Sequence, residues 1–225
     1  MIKLFLFPVL AAFAILGCSS GDDMPCETCG GEYTVGSCNA SHYGSVNING
    51  QIWMKKNWGC YAPGSKCYNN DPANCDKYGR LYDWSTAMGI SSSYNNNYYN
   101  PSSSTKHQGI CPSGWHIPSD AEWDALTNYV GTNAGTKLKA TSGWNSHSGV
   151  PSGSDTYGFA ALPGGFGSSD GFFSIAGYDG NWWSATEGNA YNAYNRYMYY
   201  YYEGVYRYNY DKSYLQSVRC LQDSP

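Results

Sequence analysis

The residues with the clearest recognition chemistry are tyrosines near the C-terminal end of the chain. The protein has 23 tyrosines in 225 residues, and about half of them follow residue 180. Many are spaced by two, which in a strand places their rings on one face. Glu203-Gly204 is a predicted turn between two such strands. The predicted ligand-binding residues are Tyr197, Tyr199, Tyr201, Tyr206, Tyr208, Tyr210 and Trp182.

Tyrosine-rich strands have two interpretations. A tyrosine ring offers a large, rigid contact area at low entropic cost and carries a hydroxyl at its tip, which suits recognition of glycan or protein. Alternatively, the rings pack on one another as strand formers in an ordinary half-buried sheet. The chain has few aliphatic residues to cover both faces of such a sheet. We therefore expect at least one face of this hairpin to be exposed to solvent and to bind a ligand.

Residues that could support catalysis or hold a metal are scattered. The four histidines form no motif, and His116 is expected to be a hydrogen-bonded structural residue. Asp155, Asp170 and Asp179 are predicted to lie in glycine-rich loops and could supply oxygen ligands to calcium, but aspartates in such segments more often form turns. We expect no catalytic residue, no metal and no cofactor, so the protein is not expected to be an enzyme.

Composition narrows the class of protein further. Charged residues make up 13% of the chain, and the net charge of -4 argues against nucleic-acid binding. Aromatic residues at 17%, together with 27 glycines, predict short strands and many turns rather than a helical bundle.

The N-terminus predicts export and a lipid anchor. Residues 1–17 contain one lysine and an apolar run too short to span a bilayer, which is typical of a signal peptide. The sequence ILGC ending at Cys18 resembles a bacterial lipobox, so Cys18 is predicted to be acylated and to anchor the protein in the outer membrane. The alternative is a plain secretory leader with an incidental cysteine. Residues 18–45 then form a tether, and acidic residues after Cys18 resemble signals for surface exposure.

Eight cysteines remain once Cys18 is set aside. In an oxidising compartment they are expected to form disulfides. Cys67 and Cys75 bracket a short polar loop and are a predicted local pair, and Cys111 and Cys220 are candidates for a long-range bridge. The pairing of the other four stays open: Cys26, Cys29, Cys38 and Cys60. The CxxC spacing of the first two could also indicate redox or zinc chemistry, but no second motif completes such a site.

Local signals predict the elements that position these residues. Asn49-Gly50 between alternating apolar residues predicts a hairpin, and Ser119 with Glu122 predicts a helix that ends at Gly131. Further predicted elements are a short helical turn to Met88, a short helix over 134–139, an exposed loop over 91–108, and strands over 159–162, 172–176, 182–186 and 216–221.

Four longer stretches together resemble a known family. They read NGQIWMKKNW, CYNNDPANCDKYGRLYDWSTAM, GICPSGWHIPSDAEWDAL, and WWSATE followed by SVRCL. Over residues 46–222 the chain resembles the Fibrobacter succinogenes major paralogous domain, a family of exported bacterial proteins. That family is similar, more distantly, to the C-type-lectin-like fold shared with formylglycine-generating sulfatase-modifying proteins.

The resemblance implies an α+β, C-type-lectin-like fold that is rich in loops and stapled by disulfides. In such folds an early cysteine is bridged to one on the last strand, which supports a Cys111–Cys220 pair. The family implies a surface protein without an assigned activity. Three classes therefore remain: a binding module for polysaccharide or protein, a structural envelope protein, and, least expected, a sulfatase-modifying-type enzyme.

Overall fold

The computed structural model describes residues 38–100 and 106–223. Its α+β architecture consists of short helices and antiparallel sheets joined by long connections. The strands are β1 Ser45–Ile48, β2 Gln51–Met54, β3 Trp115–His116, β4 Phe166–Gly167, β5 Phe173–Ser174, β6 Asp179–Glu187, β7 Asn192–Tyr199, β8 Tyr206–Asp211 and β9 Leu221–Gln222. The α-helices are α1 Pro72–Tyr78, α2 Trp84–Met88, α3 Asp120–Val130 and α4 Ala134–Leu138.

The first sheet joins the two ends of the domain in the order β1-β2-β9-β3. Strands β1 and β2 form the predicted hairpin, with Ile48 paired to Gln51. Asn49 and Gly50 both have positive φ, as a tight two-residue hairpin turn requires. The hairpin prediction is therefore confirmed.

The second sheet contains the tyrosines and has the order β6-β7-β8. Tyr197 of β7 is paired with Tyr206 of β8, and the connection between the strands includes the predicted turn at Glu203-Gly204. Strand β7 ends at Tyr199. Tyr201 therefore lies in the connecting loop and not on the strand, which corrects its expected place beside Tyr197 and Tyr199.

Helix α3 begins at the predicted capping box and covers one face of the second sheet. The Ser119 side chain accepts a hydrogen bond from the Glu122 backbone N–H, and the Glu122 carboxylate accepts one from the Ser119 N–H. Trp123, fully buried on α3, contacts the rings of Trp53 in the first sheet and Trp182 in the second. The helix thereby joins the two sheets through one aromatic core.

Three predicted strands are shorter than expected or missing. Residues 159–162 form a single bridge between Ala161 and Lys139, and Ala160 has a φ of 52°, which is incompatible with a strand. Of residues 172–176 only Phe173–Ser174 are paired as a strand, and of residues 216–221 only Leu221 lies in one. The helices predicted near 84–88 and 134–139 are present as α2 and α4.

Both predicted disulfides are confirmed. Cys67 is bonded to Cys75 across 8 residues, and Cys111 is bonded to Cys220 across 109 residues. The structure adds a third bridge, between Cys38 and Cys60. The leader, Cys18, Cys26 and Cys29 lie outside the described residues. Within those residues, no helix has the length and apolar character needed to cross a membrane.

A buried arginine, Arg219, connects loops to the core. The Arg219 guanidinium donates to the backbone oxygens of Met54 and Phe159 and to the side chain of Asn57. Burial lowers the pKa of Arg219 to about 9, and the charge of Asp155 opposes that change. These bonds satisfy a charge that would otherwise be costly to bury, so they favour a single arrangement of the loops around it.

Candidate functional site

The register of the second sheet brings most of the predicted tyrosines together. Cross-strand partners lie on the same face of a sheet. The odd-numbered residues of β7 therefore lie beside the even-numbered residues of β8. We call the resulting surface the tyrosine face, which is formed by Tyr197, Tyr199, Tyr206, Tyr208 and Tyr210.

On β6 and β7, the opposite face of this sheet is covered by α3. Arg196 of β7 is buried and forms ion pairs with Asp120 and with Asp124 of the helix, the latter at 2.5 Å. Trp182 of β6 lies on this covered side and is 0% exposed, with its indole N–H donating to Asn57 at 2.8 Å. The prediction that Trp182 contacts a ligand is therefore wrong. It failed because β6 is buried along most of its length, on both faces.

The tyrosine face is partly exposed to solvent. Tyr208 is 58% exposed and Tyr206 is 38% exposed, while the other three residues are half-buried. The rings of Tyr197 and Tyr206 are stacked, with centroids 5.4 Å apart and planes inclined by 27°. At the other end of the face, Tyr210 contacts the rings of Tyr208 and Phe166. Neighbouring rings thus hold one another in place, which lowers the entropic cost of binding.

The β7–β8 loop extends the aromatic surface. Tyr201 is close to the rings of Tyr199 and Tyr202, with centroids 4.7 and 4.4 Å away. Tyr202 is 40% exposed and contacts Tyr206 at 5.4 Å, so the loop is continuous with the tyrosine face. The structure therefore keeps Tyr201 near the predicted site although it lies outside β7.

Four of the hydroxyls at this surface, on Tyr197, Tyr199, Tyr201 and Tyr210, are held in the neutral form. Burial raises the pKa of Tyr197, Tyr199 and Tyr210, and the negative charge of Asp179 contributes in the same direction. A hydrogen bond to Tyr202 raises the pKa of Tyr201 to about 12. Neutral phenols can both donate and accept hydrogen bonds, so the face presents both functions at its rim.

Beneath the tyrosines lies a set of polar side chains that sequence reasoning missed. The Asn195 amide N–H group donates to Gln216 at 2.9 Å and to Asn181 at 3.4 Å. Asp179 is two residues from Asn181 on the same side of β6. We call these four residues the polar cluster: Asp179, Asn181, Asn195 and Gln216.

Two members of the polar cluster keep an amide atom without a partner among the described residues. They are the acceptor Asn195 Oδ1 and the donor Gln216 Nε2, on two fully buried side chains. Asp179 and Asn181 are hydrogen-bonded to each other through their side chains. The position of Asn195 on the tyrosine side could have been recognised from the sequence, because Asn195 precedes Tyr197 by two residues.

Burial also changes the ionisation of Asp179. It raises the pKa of this carboxyl from its ordinary value to about 7. Hydrogen bonds from the Asn181 side chain and the Gly180 N–H, and the charge of Lys139, oppose this rise. Lys139 is itself buried, donates to the backbone oxygens of Tyr199 and Tyr202, and has its pKa lowered by burial to about 8. Asp179 also begins β6 and does not lie in a loop as expected.

The other candidates for chemistry have structural roles. Asp155 accepts the Ala160 N–H and Asp170 accepts the Phe172 N–H, so both stabilise turns. His116 is buried between the carboxylates of Glu122 and Asp223, at 2.9 and 2.7 Å. No group of three or more histidine, cysteine, aspartate or glutamate side chains among the described residues could hold a metal ion.

Comparison with known proteins assigns the chain to a family. No curated protein and no solved structure matches it significantly. The model of the Fibrobacter succinogenes major domain matches residues 46–222, which include the second sheet, the four α-helices described above and the tyrosine face. The chain therefore belongs to the Fibrobacter succinogenes major domain family.

Proposed function

We propose that the protein is a cell-surface lipoprotein whose domain binds a ligand through the tyrosine face. The observation that carries this proposal is the exposure of Tyr206 and Tyr208 on the edge strand of a sheet whose other two strands, β6 and β7, pack against α3. A sheet that served stability alone has no use for two exposed aromatic rings on one strand, whereas recognition surfaces are enriched in tyrosine.

The rigidity of the sheet supports the proposal. The Arg196 ion pairs fix β7 to α3, and β7 in turn pairs with β8 along six residues, from Tyr206 to Asp211. A ligand would therefore meet rings whose backbone is already in place. Binding surfaces on rigid elements lose less entropy when they are occupied.

A non-catalytic module is the class we propose. The sulfatase-modifying-type alternative requires a reactive cysteine thiol, whereas Cys111 and Cys220 are bonded to each other in a disulfide. The finer fold assignment is also a proposal: we infer a C-type-lectin-like arrangement, supported by the disulfide from Cys111 to Cys220 beside the last strand and by the first sheet, which brings β1 and β9 together.

The cellular location is proposed from the N-terminal sequence. An acylated Cys18 would attach the chain to the outer membrane, and the segment between Cys18 and the first strand at Ser45 would separate the domain from the lipid. The tyrosine face is at the C-terminal part of the domain, in a sheet distinct from the one that contains β1. A surface-exposed location would make it available to extracellular polysaccharide or protein.

Substitution of the exposed tyrosines tests the function. We expect Tyr206→Ala combined with Tyr208→Ala to abolish binding of the purified full-length protein, in detergent, to cellulose, xylan, mannan or an array of purified extracellular proteins. The matched control is Tyr129→Ala combined with Tyr191→Ala, since these residues are 50% and 59% exposed elsewhere on the domain. The control pair should bind as the unmodified protein does.

Stability measurements separate binding from the structural alternative. The exposed pair should cost less free energy of unfolding than Trp123→Ala, which removes a fully buried ring and is expected to cost about 3–5 kcal/mol. If nothing in either set of ligands binds, or if the Tyr206 and Tyr208 pair unfolds the domain, the tyrosine face serves the fold and the structural envelope alternative holds.

A further inference from the structure

The polar cluster combines features that rarely occur together in a protein interior. Asn195 and Gln216 are 0% exposed, yet each has an unpaired amide atom. An unpaired buried polar atom destabilises the folded protein. Most native polar groups avoid this cost, so two such atoms on hydrogen-bonded neighbours call for a specific partner.

The chemistry of the missing partner follows from the two unpaired atoms. One is an acceptor, on Asn195, and the other is a donor, on Gln216. A hydroxyl group donates one hydrogen bond and accepts others, so it matches a donor and an acceptor at the same time. An ammonium group could satisfy only the acceptor, and a carboxylate or phosphate only the donor.

The position of the cluster relative to the aromatic rings gives the shape of the partner. Asn195 is the cross-strand partner of Tyr208, and Asn181 is the cross-strand partner of Tyr197. The ring contacts of the tyrosine face form two groups, Tyr197 with Tyr206 and Tyr208 with Tyr210. Both groups are therefore adjacent to the cluster. A partner that reaches these atoms has an apolar surface against rings and hydroxyl groups beside amides.

We infer that the polar cluster and the tyrosine face together form a binding site for a neutral carbohydrate. A sugar ring presents C–H groups that pack on tyrosine rings, and its hydroxyls provide the paired donor and acceptor that Asn195 and Gln216 lack. The inference rests on the proposed function, because the same tyrosines form the apolar part of the site.

Tyr208 lies opposite Asn195 and is 58% exposed, and exposed side chains change rotamer on the picosecond to nanosecond timescale. In this inference, a sugar hydroxyl reaches Asn195 and Gln216 when the Tyr208 ring turns away from them.

An isosteric substitution tests the donor of this site. Gln216→Glu keeps the oxygen that accepts from Asn195 and replaces the unpaired Nε2 donor by a second acceptor. A hydroxyl has one proton and cannot donate to both Asn195 Oδ1 and a carboxylate. We expect affinity for whichever of cellohexaose, xylohexaose and mannohexaose binds the full-length protein to fall at least tenfold, and binding of the glucosamine hexamer to improve relative to them.

The matched control is Asn209→Asp, an exposed amide-to-acid change on the opposite face of β8. It should leave the affinity for the neutral hexasaccharides within twofold. Thermal unfolding of each variant identifies any that do not fold, and Gln216→Met, which removes the unpaired donor without adding a charge, replaces Gln216→Glu if that variant fails.

The outcomes distinguish this inference from the proposed function. If none of the three neutral hexasaccharides binds, or if both donor variants bind them as the unmodified protein does, the carbohydrate inference is overturned. Binding to a purified protein that depends on Tyr206 and Tyr208, without binding to any sugar, would retain the proposed function and reject only the carbohydrate. Loss of both kinds of binding rejects both.

Discussion

Replacing Asp179 by asparagine should change how the stability of the protein depends on pH. The folded protein holds the pKa of Asp179 at about 7, whereas the ordinary value is 3.8. Between these two pH values the unfolded chain has released the proton and the folded chain still binds it. Folding stability from this group is therefore fully present below about pH 4 and is lost as the pH rises through about 7.

The expected magnitude follows from the same two values. A difference of about three pH units corresponds to about 4 kcal/mol, which is an upper bound because the side chain retains some exposure. The unmodified protein should lose up to about this free energy of unfolding between pH 4.5 and pH 8. Asp179→Asn removes the ionisable group with little change of shape, so its stability should vary much less over that range.

Urea unfolding with the disulfides intact, at several pH values, measures both curves. Asp170→Asn is the matched control, because Asp170 is exposed and its pKa is lowered by the Ser168 hydroxyl and the Phe172 N–H. That control should leave the loss between pH 4.5 and pH 8 in place. Lys139 remains charged over most of the range, since its pKa is about 8. Parallel curves for the unmodified protein and Asp179→Asn would refute the assignment of a protonated Asp179 to the folded state.

The remaining predictions concern the disulfides and the anchor. The loop-entropy relation gives about 4.8 kcal/mol for closing the 109-residue loop between Cys111 and Cys220 and about 2.5 kcal/mol for the 8-residue loop between Cys67 and Cys75. Replacing both cysteines of the first pair by alanine should thus lower the free energy of unfolding by about 2 kcal/mol more than replacing the second pair, and equal losses in urea unfolding would contradict this ranking. Cys18→Ala should release the protein from the membrane while the domain still folds. Mass spectrometry of the protein without this substitution provides the check: a mature N-terminus beyond residue 18, without acyl chains, would rule out the anchor.

Local signals in the sequence predict those elements whose cause is also local. The β1–β2 hairpin follows from Asn49-Gly50, and α3 follows from the capping box of Ser119 and Glu122. Both signals act within a few residues and need no help from the rest of the chain. The shared face of the β7 and β8 tyrosines was equally accessible, because tyrosines at a spacing of two indicate a strand with one aromatic face, whereas the end of β7 at Tyr199 was not.

The elements that sequence reasoning missed depend on distant contacts. The segment 159–162 has apolar residues typical of a strand, but Asp155 accepts the Ala160 N–H and Arg219 donates to the Phe159 oxygen. These bonds turn the backbone and satisfy groups that a strand would pair. Trp182 was predicted to contact a ligand, but α3, 59 residues away at Trp123, covers that side of β6.

The polar cluster lies where the side chains on one side of the second sheet change from apolar to polar. On the same side of the second sheet as the cluster, Trp183 and Ala193 are fully buried and apolar, so the fold can cover this surface with ordinary core residues. One step closer to the exposed tyrosines, Asn195 occupies the next position on β7 and keeps an unpaired oxygen. An apolar residue there would avoid the desolvation cost of that atom. The change from apolar to unpaired polar side chains occurs where the surface becomes accessible, and a ligand that brings its own hydroxyl groups is the partner that would offset the cost.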